Sequence, residues 1–187
     1  MGLPQQTPDN PSQAPVPDPM QAPSQTTSTS SGVTVDTLPP EALALASRLF
    51  DMAREGSLND LQTYVSAGIP PNLTNHKGDT LLMLAAYHGH AAVVSMLLSH
   101  GADPDVLNDR GQSPIAGAVF KGHDEVVKTL TEGVEVAADG RRSKKADIWA
   151  GQPNAVDSAR MFKKEAYLSM WGVEDAAVPG RVDAPRT

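Results

Sequence analysis

Residues 78–105 read GDTLLMLAAYHGHAAVVSMLLSHGADPD. Two apolar blocks, Leu81 to Ala86 and Ala91 to Leu98, are broken by Tyr87-His88-Gly89-His90 and closed by Gly101. Neither block approaches the ~20 apolar residues of a membrane span. The pattern predicts a short helix, a chain reversal at Gly89-His90, a second helix ending at Gly101 and a projecting turn over ADPDVLNDRGQ. Ala85 and Ala86, like Ala118 further on, let adjacent helices approach, while Leu82, Leu84, Val94, Leu97 and Leu98 face neighbouring units. One such pair is too thin to hide its own apolar face, so stability requires stacking.

Outward from this stretch, the glycines recur at a fixed interval. Gly56, Gly89 and Gly122 are 33 residues apart, as are Gly78 and Gly111, and Gly68 and Gly101. Ala53, Ala86 and Val119 share a register. So do Leu61, Val94 and Val127, then Tyr64, Leu97 and Leu130, and Pro71 with Pro104. Tyr87 and Phe120 fall at one repeat position, just before the inter-helix turn.

The segments Gly78-Asp79-Thr80-Leu81-Leu82-Met83-Leu84-Ala85-Ala86-Tyr87-His88-Gly89-His90 and Leu97-Leu98-Ser99-His100-Gly101-Ala102-Asp103-Pro104-Asp105 resemble an ankyrin repeat. Leu81 and Met83 stand where that family usually has the Pro and His of its TPLH motif. A second copy, from Arg110 to His123, keeps Ser113-Pro114 but carries Ala116 for the motif's His and Gly117 for a leucine, which predicts a looser unit. The first copy, about 41–74, lacks the leading hairpin and resembles an N-terminal capping repeat. Aligning Ala159 with Ala85 puts Val156 on Leu82, Leu168 on Val94 and Trp171 on Leu97, so a further helix pair is expected to end the stack. The resemblance implies an all-α repeat solenoid, an ankyrin-like stack of three to four helix-turn-helix units with projecting β-hairpin loops.

The expected organisation is a disordered Pro/Gln/Ser/Thr-rich tail over 1–36, a repeat domain over 37–172 and a flexible tail over 173–187. The units fall at about 37–74, 75–107, 108–135 and 150–172, with a basic insertion over 136–152. Nine of the 16 prolines lie in the first 40 residues, and Asp9, Asp18 and Asp36 are the only charges before Thr37. Such a segment buries too little apolar area to offset its ordering entropy. Asp36 or Thr37 is expected to cap the first helix, with Pro39 and Pro40 tolerated in its first turn. No basic residue precedes Arg48 and no apolar block of signal-peptide type occurs, so a cytoplasmic chain without a secretory leader is expected.

The absence of cysteine excludes a disulfide framework, a thiol nucleophile and Cys-ligated zinc or iron–sulfur sites. Only 8 aromatic residues occur, none before Phe50, so the core must be built from Leu, Val, Ala and Met. His90 and His123 follow the turn glycines at equal positions, where an imidazole can bond to backbone of the preceding unit. His88 and His90 form an HxH pair with no third donor at zinc spacing, and His100 suits the end of its helix. Asp103, Asp105 and Asp109 lack the calcium-loop spacing and read as turn formers beside Gly and Pro. No phosphate-cradling or nucleophile-elbow motif is present. A non-enzyme with no cofactor and no metal is expected.

The formal charge of −7 is uneven. Residues 41–140 hold 6 basic and 13 acidic side chains, whereas 141–164 hold 7 basic and 2 acidic. The run Arg141, Arg142, Lys144 and Lys145 reads as a solvated loop. Its alternative role is docking a partner, or nucleic acid in a nucleic-acid-associated regulatory protein, although the acidic pI and the lack of interleaved aromatics beyond Trp149 disfavour the latter. By the resemblance, the chain is a protein-protein interaction module, an adaptor, scaffold or inhibitor, binding another protein through hairpin tips and inner helices and monomeric when unbound. The candidate contact residues are Arg54 and Glu55, then His76, Lys77, Asp79, Tyr87 and His88, then Asp109, Arg110, Gln112, Phe120 and Lys121. A small-molecule-binding or catalytic role is the remaining alternative and would need a closed polar pocket near His76 or His88.

Overall fold

A computed structural model describes residues 40–135 and 142–173, which hold eight helices. The expected N-terminal tail, its capping residues Asp36 and Thr37, and nearly all of the expected C-terminal tail lie outside the described residues. The helices come in successive pairs: α1 (Pro40–Glu55) and α2 (Leu58–Ser66), α3 (Leu81–His88) and α4 (Ala91–Ser99), α5 (Pro114–Lys121) and α6 (Asp124–Glu132), α7 (Ala155–Met161) and α8 (Glu165–Trp171). α1, α3, α5 and α7 pack side by side as an inner row, and α2, α4 and α6 as an outer one. Among the described residues there is no sheet, so the fold is an all-helical repeat stack.

Each unit after the first is started by the same local chemistry, and the second and third stop their first helix on a glycine. Thr80, Ser113 and Asn154 sit in extended backbone before α3, α5 and α7, and their side chains accept from the amides of Met83, Ala116 and Asp157. That satisfies one of the otherwise unpaired donors of each helix start. Gly89 and Gly122 close α3 and α5 with φ of 84° and 78°, a left-handed conformation that costs an L side chain energy. Their missing side chains also make room. A Cβ on Gly89 would lie 2.7 Å from His123 Nδ1, and one on Gly56 would lie 2.5 Å from His90 Nδ1. The two imidazoles fill those gaps and donate to the carbonyls of Arg54 and Tyr87 in the preceding unit, at 2.7 and 3.1 Å. They are joints between units, as their shared repeat position predicts.

Burial follows position in the stack. α3 lies between α1 and α5, and Leu81 through Ala86 are all buried, as a helix that is apolar on every side must be. α6 borders the insertion and solvent, and it buries only Val126, Val127 and Leu130. In the last pair Ala155, Val156 and Ala159 are wholly buried against α5, while Leu168 and Trp171, at the register of Val94 and Leu97, are half-buried, with no further unit over them among the described residues. α8 is tied to α6 by the Tyr167 hydroxyl donating to Asp124 and by the Trp171 indole N–H donating to Thr131 Oγ1 at 3.2 Å. Burial and the Asp124 carboxylate push the Tyr167 hydroxyl well above the ordinary tyrosine range.

The hairpins carry their own polar ladder. Thr74 pairs with Thr80 across the first turn. Asn75 Oδ1 accepts from the amides of Lys77 and Asp79, and Asn108 Oδ1, 33 residues on, from those of Arg110 and Gln112. The two hairpins are then joined. Asn108 Nδ2 donates to Asp79 Oδ1 at 2.8 Å and the Asp109 amide to the Lys77 carbonyl at 3.1 Å.

The basic insertion keeps Arg142, Lys144 and Lys145 exposed in its described part, yet it is pinned to the stack. Lys144 Nζ lies 2.8 Å from Asp103 Oδ1 and 3.0 Å from Asp105 Oδ2, Ala146 is buried with its amide on the Leu130 carbonyl, and the Asp147 amide donates to Asp105. The Gln152 amide then bonds to the Gly111 carbonyl, which brings the chain to α7 along the hairpin of the preceding unit. Asp103 and Asp105 are thus more than turn formers: they clamp the insertion to the stack.

Candidate protein-binding surface

The inner-row helices and the hairpins line a groove of about 590 Å³. α3, α5 and α7 each place a pair of residues on it about one turn apart, and α1 adds Arg54. Met83 and Tyr87 lie on α3, Ala116 and Phe120 on α5, and Ser158 and Met161 near the end of α7, with Phe162 just beyond. The first residue of each pair is buried and the second is not: Tyr87 is 37% exposed, Phe120 48% and Met161 66%, and Phe162 beyond the last pair is 41% exposed. These rings form a line across three units. Tyr87 and Phe120 stack with centroids 6.4 Å apart and planes 14° apart, and Phe120 meets Phe162 edge to face at 5.0 Å. The ring of Tyr87 lies over Gly117, where a Cβ would sit 3.5 Å from Cδ2, so the glycine that replaces a family leucine gives the tyrosine a surface to rest on.

Of the expected contact residues, the groove collects Arg54, Lys77, Tyr87 and His88, and then Arg110, Gln112 and Phe120. Asp79 also lines it, but in a different role from the one expected. It is 8% exposed, and its carboxylate accepts from Asn75 and Asn108, so it joins the two hairpins and has little surface to offer. Glu55, His76 and Asp109 are exposed and fall outside the groove lining. Lys121 stands at its edge with Nζ 4.8 Å from the centroid of Tyr87, a cation–π contact. Sequence reasoning missed Met161 and Phe162. The alignment of Ala159 with Ala85 already places Met161 at the register of Tyr87, and this was the available signal.

The groove is positive although the chain is acidic. Arg54, Lys77 and Arg110 line it, and Asp79 is the one carboxylate among its lining residues. Arg54 is partly answered by Asp51 at 2.6 Å, an exposed pair of small energetic weight. Desolvation, reinforced by the charges of His90, Arg54, Lys121 and His123, holds the His88 imidazole below its ordinary value. The rings of His88 and His90 stack at 6.4 Å, and no group of three metal-ligating side chains occurs among the described residues.

The four-cation run is dispersed by the fold. Arg141 lies outside the described residues. Arg142 donates to the carbonyls of Glu132 and Gly133, Lys144 is held by Asp103 and Asp105, and Lys145 is exposed. A phosphate track through this run loses two of its cations to the protein's own carbonyls and carboxylates. No helix of the described residues is long and apolar enough to cross a membrane.

Comparison with known proteins agrees with this architecture. A family model described as ankyrin repeats, in three copies, matches residues 49–139. The ankyrin repeat protein PA3287 of Pseudomonas aeruginosa is 57% identical over 49 residues, which are 26% of this chain and 29% of that protein. The crystal structure of the human ASB11 ankyrin repeat domain aligns with a TM-score of 0.54 at 21% identity, covering 72% of this chain and 57% of that one. The chain thus spans well under two thirds of either relative, and at this identity the human domain speaks for the fold alone. With a 33-residue period, capped helix pairs and turn glycines in register, residues 49–139 of the chain carry ankyrin repeats.

Proposed function

We propose that this chain is a non-enzymatic adaptor, scaffold or inhibitor that binds a partner protein across the inner-row groove, is monomeric when unbound and works in the cytoplasm. Ankyrin repeats are generally protein-protein interaction modules, and fold alone does not choose the partner. The observation that carries the reading is the line Tyr87, Phe120 and Phe162, three half-exposed rings from three successive units on one groove. Rings concentrate binding energy because they bury a large rigid surface at low entropic cost. The lining supports recognition better than catalysis, since its charged groups are separated cations, and its one carboxylate is engaged by two asparagines.

The test is Tyr87→Ala combined with Phe120→Ala. Both rings are about half exposed, so the helical circular dichroism signal should persist while partner capture weakens by about tenfold or more, the scale of truncating interface anchors. Lost helicity with unchanged binding would defeat the assignment.

A further inference from the structure

We propose that the groove accepts an extended segment of a partner protein in which apolar and acidic side chains alternate. This rests on the groove being the protein-binding surface. The groove has two parallel rows, each written with the repeat period. Tyr87 and Phe120, 33 residues apart, form a ring row at the ends of α3 and α5. Lys77 and Arg110, also 33 apart, form a cationic row on the hairpins that precede the same two helices. The two rows lie at opposite ends of the eight-residue helices α3 and α5, each about 12 Å long at 1.5 Å per residue.

A chain laid between these rows along the stack matches them in spacing and in direction. The 6.4 Å between the Tyr87 and Phe120 centroids is close to the about 6.6 Å that two residues of extended chain span. Every second side chain of such a segment therefore meets the next ring. The side chains between them point to the opposite side, toward Lys77 and Arg110. No lining carboxylate other than the engaged Asp79 competes for those cations, whereas the rest of the repeat body is acidic. An acidic segment is thus attracted at the groove and repelled elsewhere, which confers register and specificity more than raw affinity. A single-stranded nucleic acid would also find rings and cations, but a row of two cations on a chain of net charge −7 is a short track for phosphates.

The experiment is selection from a displayed library of twelve-residue random peptides on the full chain. Enriched peptides are then measured by fluorescence anisotropy against the wild type, Tyr87→Ala/Phe120→Ala and Lys77→Glu/Arg110→Glu. Lys77 and Arg110 are exposed and use only backbone atoms in the hairpin ladder, so their charge reversal should leave the fold intact. The expected result is enrichment of alternating apolar and acidic residues. Binding should be lost in the ring variant and weakened about tenfold or more in the charge variant or when the peptide's Glu is changed to Gln. Peptides that need the rings but show no acidic preference would overturn this inference and leave the groove assignment standing. No enrichment, or binding indifferent to the ring variant, would overturn both. Tighter binding of a labelled twenty-nucleotide oligo-dT, abolished in the charge variant, would overturn it in favour of nucleic acid.

Discussion

Lys163 stands at the repeat position of Gly89 and Gly122, and it takes their left-handed backbone at φ 54°. The fold imposes that conformation because the chain must reverse between α7 and α8, and a Cβ makes it costly. Lys163→Gly should therefore stabilise the protein by about 0.5–1 kcal/mol, a gain reduced by the greater freedom of glycine in the unfolded chain and readable as a higher urea midpoint. The reverse change, Gly89→Ala, meets both the positive φ and the His123 ring and should cost about 1–2 kcal/mol or more. His88 offers a titration test. Its depressed pKa means that the folded state takes up its proton later than the unfolded chain does, so any contribution to stability is complete above about 6.5 and declines as pH falls through the folded value. In an NMR titration its midpoint should lie below about 6.5, and Lys121→Gln, which removes a positive neighbour, should move it upward.

The insertion is the element whose behaviour departs most from its sequence. Burial alone would raise the Asp103 carboxyl, but the hydrogen bond from Lys144, the Asp105 amide and the Lys144 charge outweigh it and set it below the ordinary carboxylate value. Lys144 is raised in turn by its hydrogen bonds to Asp103 and Asp105. The signs define the window of the clamp. The Asp103 contribution is present above about pH 3.9 and is lost as pH falls through the lowered folded value, and the Lys144 contribution is present below about pH 10.4 and is lost as pH rises through the raised one. Lys144→Met should cost no more than about 1 kcal/mol, because the pair is half exposed, yet it should speed hydrogen exchange at the amides of Ala146 and Asp147. The helices themselves were legible as elements. The apolar blocks are broken at Gly89-His90 and closed at Gly101, and the turn glycines recur in register. The clamp was not, because Lys144 and its two carboxylates are about 40 residues apart and no local pattern links them.

At the scale of the molecule, each pair is stabilised by its neighbours, and the stack behaves as a chain of interfaces. Ending the protein after Glu135 removes α7 and α8, uncovers the face of α5 that packs on α7, and deletes Phe162 from the ring line. Such a truncation should melt at a lower temperature and less cooperatively than the full chain when followed by circular dichroism. The sequence by itself determined the period, the helix pairs, their turns and the presence of Tyr87 and Phe120 at one repeat position, because all of these are local rules written once per unit. Only the tertiary structure decided which exposed candidates share a groove. It drew Asp79 into the hairpin ladder and Lys144 onto Asp103 and Asp105, and it brought Phe162 beside Phe120 after an insertion had broken the period. The physical reason is that ion pairs, ring contacts and shared hydrogen bonds depend on distances between units, and stacking sets those distances.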